Sequence, residues 1–313
     1  MFKLLVIYIS LLTCTPGEEL YARYGHTAIR LQDTEAGVDW CFNYGTFSFD
    51  SGNFYWKFVR GETYYQLSVE PAEEFFADYA EEGREVYEQR LNLTDEQSVR
   101  MRDALLRNCL PANREYLYNF VYDNCATRPY NLIKDVLGEE LVSAYQGWEG
   151  RTYRDFIRHY TRKNTVMDFL INMIFGKRAD APMRGEQRLF LPEELMFYLS
   201  EVRLANSERL IGSENIHPFA IKPVRWWENI YTYLVLVAML MVGLSFFDAR
   251  RRRMSRWVDA VLGVVYGVLI GIVVFLTYFS IHPLVGWNWR LLVLPVMWGV
   301  FRYGSYRMFK KMI

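Results

Sequence analysis

At 313 residues the chain has room for two ordinary domains, and its 36 basic side chains are balanced by 36 acidic ones. That neutral balance gives no support for nucleic-acid binding, and the sequence carries no glycine-rich phosphate loop, zinc-type Cys/His spacing or calcium-loop pattern. Four cysteines, Cys14, Cys41, Cys109 and Cys125, are too few and too scattered for a disulfide framework, although a single bridge among the first three stays open.

The two ends of the chain differ in kind. Residues 1–225 mix charges and aromatics as a water-exposed domain does, whereas residues 226–313 hold long apolar runs broken by an arginine cluster. The opening run, MFKLLVIYISLLTC, superficially resembles a signal peptide but has no small-residue cleavage site, and Thr13 fits badly before a lipid-attachment cysteine. The favoured reading is a first buried strand over residues 6–13, rich in β-formers, with any export signal upstream of Met1. Pro16 and Gly17 then make a turn, residues 18–24 read as a short helical segment, and residues 26–31 alternate as a strand that begins with His26. After a turn over residues 33–37, a second strand over residues 40–44 carries Asn43. Adjacent antiparallel strands would bring His26 and Asn43 side by side.

Aromatics crowd residues 46–67, among them Phe47, Phe49, Phe54, Tyr55, Trp56, Phe58, Tyr64 and Tyr65, and most are expected in the core, although an acyl chain would need such a wall. Residues 71–82 read as a helix, and Thr94 with Gln97 opens another as cap and capping-box partner. The run YNFVY reads as a strand ending in the turn-prone pair Asp123 and Asn124, with the periodic segment YNLIKDVLGEEL following. Asn124 is then a plausible N-cap and Cys125 the first helical residue, where unpaired N–H groups and the helix dipole favour a thiolate. Amphipathic helices follow at TYRDFIRHYT, TVMDFLINMIFG and FLPEELMFYL, with His159 on an exposed face; residues 201–224 read as a linker.

The membrane section starts at Trp226 and Trp227, with a first span at about 229–247 and a second at about 257–280. Between them lie five arginines within residues 250–256, which the positive-inside rule assigns to the cytoplasm; residues 1–225 and the HPLVGWNW loop then face the periplasm. A third span at about 289–306 is possible, interrupted by Pro295 and bounded by Arg290 and Arg302.

A thiol nucleophile needs a base, a group that orients the base, and donors for an oxyanion. Cys125, His26, Asn43 and the Cys125 N–H itself are candidates for those four roles. Tyr24, Tyr122, Asn124 and Arg128 flank the proposed site and are candidate substrate contacts. The order His, polar residue, Cys reverses the papain arrangement, as a circular permutation would. Structural roles for all of these residues remain an open alternative.

The blocks ISLLTCTPGEELYARYGHTAIRL, FNYGTFSFD, FYWKFVRGETYYQL, YNFVYDNCATRP, YRDFIRHYT and FLPEELM resemble the successive signatures of the Lnb-type lipoprotein N-acyltransferases. GHTAIR, FNYGTF and DNCATRP are the most specific of these, and the likeness covers nearly the whole chain. The resemblance implies an α+β fold, a circularly permuted papain-like (NlpC-type) antiparallel sheet with helices, similar to enzymes of the lecithin:retinol acyltransferase kind, followed by C-terminal transmembrane helices. It implies His26 and Cys125 as catalytic residues, no metal or cofactor, and transfer of a fatty acyl chain from a phospholipid to the α-amino group of an S-diacylglyceryl cysteine on a lipoprotein at the bacterial inner membrane. Two other readings stand beside it. One is a periplasmic peptidoglycan or peptide amidase using the same thiol, and the other is a non-catalytic membrane-anchored assembly protein.

Overall fold

The apolar run near the N-terminus becomes β1 (Ile7–Cys14), and the strands on either side of it explain its composition. In the computed structural model, which describes residues 7–47, 53–142, 150–161, 165–212, 217–219 and 226–313, β1 pairs antiparallel with β2 (His26–Asp33) on one side and β5 (Val86–Arg90) on the other. It is covered on both faces, so Leu11 and Leu12 are both fully buried although they point opposite ways. A central strand of this kind reads as a continuous apolar run rather than an alternating one. Val6, the first residue of the expected strand, lies outside the described residues.

The chain divides into two units, Met1–Arg151 with Pro182–Ile221, and Thr152–Ala181 with Lys222–Ile313. In the first, β3 (Val38–Thr46) and β4 (Tyr64–Pro71) extend the sheet, with α1 (Phe54–Arg60) between them and α2 (Ala72–Glu81) after β4. Next come α3 (Asp95–Asn108), the edge strand β6 (Glu115–Leu117), α4 (Thr127–Leu137) and the short β7 (Leu141–Val142). The sheet order is β5-β1-β2-β3-β4-β6, antiparallel throughout. The architecture is therefore α+β.

One face of the sheet, with Ile9, Leu11, Ile29, Leu31, Phe42 and Tyr44, packs on Met101 and Leu105 of α3 and Ile133 of α4. The opposite face, with Leu12, Cys14, Ala28 and Cys41, is covered by Ala72 and Phe75 of α2. Each fully buried leucine contributes roughly 1.5–3 kcal/mol over an exposed one. All four cysteines are free.

Two sequence expectations about the aromatic runs need correction. Among the aromatics of residues 46–67, Tyr65 is buried, but Trp56, Phe58 and Tyr64 are exposed, the first two on the helix α1 that their clustering disguised. Phe49 and the side chains of Phe54 and Tyr55 lie outside the description. The run YNFVY is no strand. Asn119 Oδ1 accepts the N–H groups of Val121 and Tyr122, and Asn119 pairs with Asp123 across the turn this makes. An asparagine side chain that mimics the backbone two residues on overrides the β propensity of the aromatics around it.

The remaining elements are α5 (Tyr153–Thr161) and α6 (Thr165–Ile174) of the second unit, then α7 (Pro192–Glu201) and β8 (Arg203–Leu204) of the first. Pro192 occupies the first turn of α7, as expected, and His159 is exposed. The expected linker over residues 201–224 is, in its first half, part of the core. β8 pairs with β7, the Asn92 N–H donates to the Leu210 carbonyl at 2.7 Å, and Leu210 and Ile211 are buried. Two paired residues are too few to show periodicity, which is why the segment reads as linker. Residues 213–216 and 220–224 of it lie outside the description.

The second unit carries the apolar helices α8 (Ile230–Arg250) and α9 (Arg256–Phe279), both long and apolar enough to cross a membrane. A further helical stretch follows as α10 (Val293–Met297), a wide-turn segment from Trp298 to Gly304, and α11 (Ser305–Met312). Arg302 is fully buried there, paired with Asp248 at 2.6 Å and Asp259 at 3.2 Å. The loop after α9 is stitched to the end of α6: Gly176 and Ile174 exchange backbone hydrogen bonds with Leu284 and Gly286, and Asn288 Nδ2 donates to the Phe175 carbonyl at 2.7 Å. The buried guanidinium of Arg154 closes the other side of that turn, on Asp180, Asn172 and Phe175.

Thr94 and Gln97 form the reciprocal capping box at the start of α3. Thr94→Ala is expected to lower the stability of the protein by about 1 kcal/mol, read as a lower midpoint in thermal or urea unfolding of the detergent-solubilised chain. A midpoint equal to wild type would show that α3 is held by packing alone.

Candidate active site

The site forms at one end of the sheet, where β2 starts, β3 ends and the chain turns into α4. Asn124 organises the turn. Its Oδ1 accepts the N–H groups of Ala126 at 2.8 Å and Thr127 at 2.9 Å, while its own N–H donates to Thr127 Oγ1 at 2.8 Å. This is N-cap bonding with Cys125 in the first position, two residues ahead of the regular helix that starts at Thr127. Asn124 Nδ2 donates to the carbonyls of Phe120 and Phe190. The amide of this buried residue is thus wholly engaged by backbone, and its role in the structure is to hold the turn that presents Cys125.

His26 and Asn43 meet across β2 and β3. The β2–β3 register runs to Ile29↔Phe42, and continuing it sets Gly45 opposite His26 and Asn43 on the diagonal. His26 Nε2 lies 2.5 Å from Asn43 Oδ1. An amide oxygen only accepts, so Nε2 carries the proton and the lone pair of the neutral ring lies on Nδ1. Asn43 is turned this way by Glu70, whose Oε1 accepts from Asn43 Nδ2 at 3.3 Å. Burial holds the Glu70 carboxyl above the usual range, and the Asn43 bond opposes that.

Gly45 joins the two halves. It has φ +104° beside the irregularity between Tyr44 and Thr46, and a methyl group placed on it would meet Cys125 Cβ at 3.6 Å, His26 Cε1 at 3.8 Å and Tyr116 Oη at 3.9 Å. Thiol, imidazole and phenol therefore border one small space that the missing side chain leaves open. Cys125 and His26 are both half-buried.

The electrostatics are those of a neutral pair. Burial pushes the Cys125 thiol up to about 11, opposed by the N–H groups of Thr27 and of Cys125 itself, which favour the sulfur's anion. Burial lowers His26 to about 4; the Asn43 bond works against this, and the positive charge of Arg84 adds to it. The resting thiolate expected from a helix start is thus outweighed by desolvation. The cap explains part of this, because Asn124 takes up the N–H groups of Ala126 and Thr127.

The other predicted contacts are placed as follows. Arg128 is clamped by Asp123 through two bonds, at 2.6 and 2.8 Å, and lies 3.5 Å over the Tyr116 ring, so its charge is already matched. Tyr122 is 60% exposed. Tyr24 packs on Phe120 with ring centroids 5.0 Å apart. Near it a stacked row, Phe47, Tyr65 and Tyr118, has centroid spacings of 4.9 and 4.1 Å and forms an aromatic wall. Thr27 and Gly45 lie inside the blocks GHTAIR and FNYGTF, which by themselves assign them no role, and Glu70 and Tyr116 carry no local signature. Glu70 and Tyr116 reach the site through strand register, Glu70 by the pairing Asn43↔Ser68 and Tyr116 by the pairing of β4 with β6, while Gly45 sits at the irregularity after Tyr44. Among the described residues no cluster of His, Cys, Asp and Glu could hold a metal ion.

Together the fold and these residues define a membrane protein whose α+β domain gathers a cysteine, a histidine and an asparagine at one sheet end. Residues 2–158 match the family model of the Lnb N-terminal periplasmic domain, and residues 227–304 match that of the Lnb transmembrane domain. The chain belongs to the Lnb family. The two matches support a lipoprotein-processing membrane protein with a periplasmic N-terminal domain and are consistent with an enzyme. No curated protein and no solved structure matches the chain.

With the Cys125 thiol at about 11, its alkylation by iodoacetamide should rise about tenfold per pH unit between about pH 7 and about pH 10. The rate is read from the Cys125 peptide by mass spectrometry. A plateau already reached below about pH 8 would mean a resting thiolate–imidazolium pair instead.

Proposed function

We propose that this protein is a lipoprotein N-acyltransferase of the bacterial inner membrane, anchored by more than one span with its site on the periplasmic side. The observation that carries the reading is the bonding of His26. Its Nε2–H is committed to Asn43, which leaves Nδ1 to serve as the base, and the ring borders with Cys125 the space at Gly45. Membership of the Lnb family supports the choice of substrate class.

In this mechanism His26 Nδ1 takes the Cys125 proton as the sulfur attacks an ester carbonyl of a glycerophospholipid. The carbonyl electron pair moves to oxygen, to which the N–H groups of Cys125 and Thr27, the ones that reach the sulfur, would donate. Collapse breaks the bond to the glycerol oxygen, which takes the proton from Nδ1, leaving a thioester on Cys125 and a lysophospholipid. The α-amine of an S-diacylglyceryl cysteine then attacks the thioester and gives its proton to Nδ1. The second collapse restores the Cys125 thiol and releases the amide. The row of Phe47, Tyr65 and Tyr118 offers an apolar wall for the acyl chain. Two apolar helices in the same chain keep the reaction at the lipid surface.

Cys125→Ser is expected to abolish N-acylation of a lipoprotein in a strain dependent on this protein, while the variant still accumulates in the membrane. Mass spectrometry of the lipoprotein N-terminus reads the result. No amide-linked acyl chain with the wild type would sink the transferase reading, and a chain added by the variant would remove Cys125 as nucleophile.

A further inference from the structure

Among the described residues two buried hydroxyls at the site, those of Thr27 and Tyr116, have no hydrogen-bond partner, and the one of Tyr116 borders the space at Gly45. Tyr116, on β6, is 5% exposed, and its hydroxyl has no hydrogen-bond partner among the described residues. Buried hydroxyls are rarely left in this state, because losing water without gaining a partner is costly. Packing does not require the oxygen. The ring is held by Arg128 on one face and by the pairing of Tyr116 with Tyr65 on the neighbouring strand, and a phenyl group would satisfy both.

The position of the oxygen supplies the missing role. It borders the space kept open by Gly45, in company with Cys125 Cβ and His26 Cε1. The imidazole Nε2–H is used by Asn43, and Nδ1 is the base, so neither imidazole nitrogen of the neutral base is free to donate to an oxyanion. The Tyr116 O–H is a free donor on the same space. Burial and the neighbouring Cys125 keep this phenol protonated, far above its ordinary titration range.

We propose that Tyr116 is a catalytic residue whose hydroxyl donates to the oxyanion of the tetrahedral intermediate formed on Cys125, alongside backbone N–H groups. The proposal rests on reading Cys125 as an acyl-accepting nucleophile. Tyr116 exchanges no proton in the cycle. The negative charge passes from sulfur to the former carbonyl oxygen, Tyr116 holds it there, and the pair returns to the carbonyl when the leaving group departs.

The test uses the full chain in detergent and the substitution Tyr116→Phe, with three probes: a p-nitrophenyl ester of a fatty acid, phosphatidylethanolamine vesicles, and iodoacetamide. Acylation of Cys125 by the nitrophenyl ester, followed as a burst of nitrophenolate, should slow by about 10²–10³-fold with the ester's apparent dissociation constant unchanged. Alkylation of Cys125 by iodoacetamide forms no oxyanion, so its rate at the same pH should stay within about twofold of wild type. A variant that acylates like wild type would overturn the proposal. So would a parallel loss of acylation and alkylation, which would make Tyr116 a support for thiol geometry. If the wild type bursts with the nitrophenyl ester and Tyr116→Phe does not, yet neither is acylated by the vesicles, the phospholipid-donor reading fails and the role of Tyr116 stands. If the wild type bursts with neither, both fail.

Discussion

The site depends on a single side-chain amide. Asn124 bonds to the backbone at four places: the N–H groups of Ala126 and Thr127, and the carbonyls of Phe120 and Phe190. Three segments are fixed relative to one another by this group: the turn of residues 118–123, the start of α4, and the approach to α7. Cys125 sits between the first two and has little freedom to leave its position beside β2. A buried amide with all of its partners made also rigidifies its surroundings, because losing any one bond would leave a polar group stranded in the core. The cap is therefore both the cause of the helix start and the device that aims the thiol.

Orientation at the other half of the site runs through a similar relay. Glu70 turns the Asn43 amide, Asn43 fixes the tautomer of His26, and the tautomer decides which nitrogen is available as a base. Each step is a hydrogen bond with one sensible direction. Desolvation sets the charge state of the pair. A thiol held at about 11 beside an imidazole held at about 4 rests as two neutral groups, and an ion pair lies far uphill of it. In the proposed reaction, proton transfer from sulfur to Nδ1 accompanies attack on a carbonyl, so the charge that develops goes to the carbonyl oxygen. Stabilisation is then needed at that oxygen, and the N–H groups of Thr27 and Cys125, which reach the sulfur, are the proposed backbone donors to it.

What the sequence discloses follows from how local each feature is. The Thr94–Gln97 capping box closes within four residues and is legible at sight. His26 and Asn43 fall on strands whose alternation is clear and which are joined by a short turn, so their proximity is also readable. Cys125 is readable from Asn124 as a cap. The parts that resist are set by partners far away in the chain. Glu70 and Tyr116 reach the site because β4 pairs with β3 on one edge and β6 on the other. Residues 203–211 look like linker because their pairing partners are Leu141, Val142 and Leu91. The run YNFVY misleads for the opposite reason. Its residues favour strands one by one, and a single Asn119 side chain bends them into a turn.

Burial of charge follows different rules in the two units. In the first, the Cys125 thiol and the His26 ring are held neutral, and the nearby cations Arg128 and Arg84 are paired with Asp123 and Glu82. In the second, Arg302 is buried as an ion with Asp248 and Asp259 at the ends of α8 and α9 that face the arginine cluster. A buried charge left unmatched is costly, so this guanidinium holds the two helix ends and the wide-turn segment together only while both carboxylates remain in place. The membrane unit uses permanent charge as a fastener. The reaction proposed for the first unit needs the reverse, a surface on which charge exists only while a bond is being made. The neutral resting pair of Cys125 and His26 provides that condition.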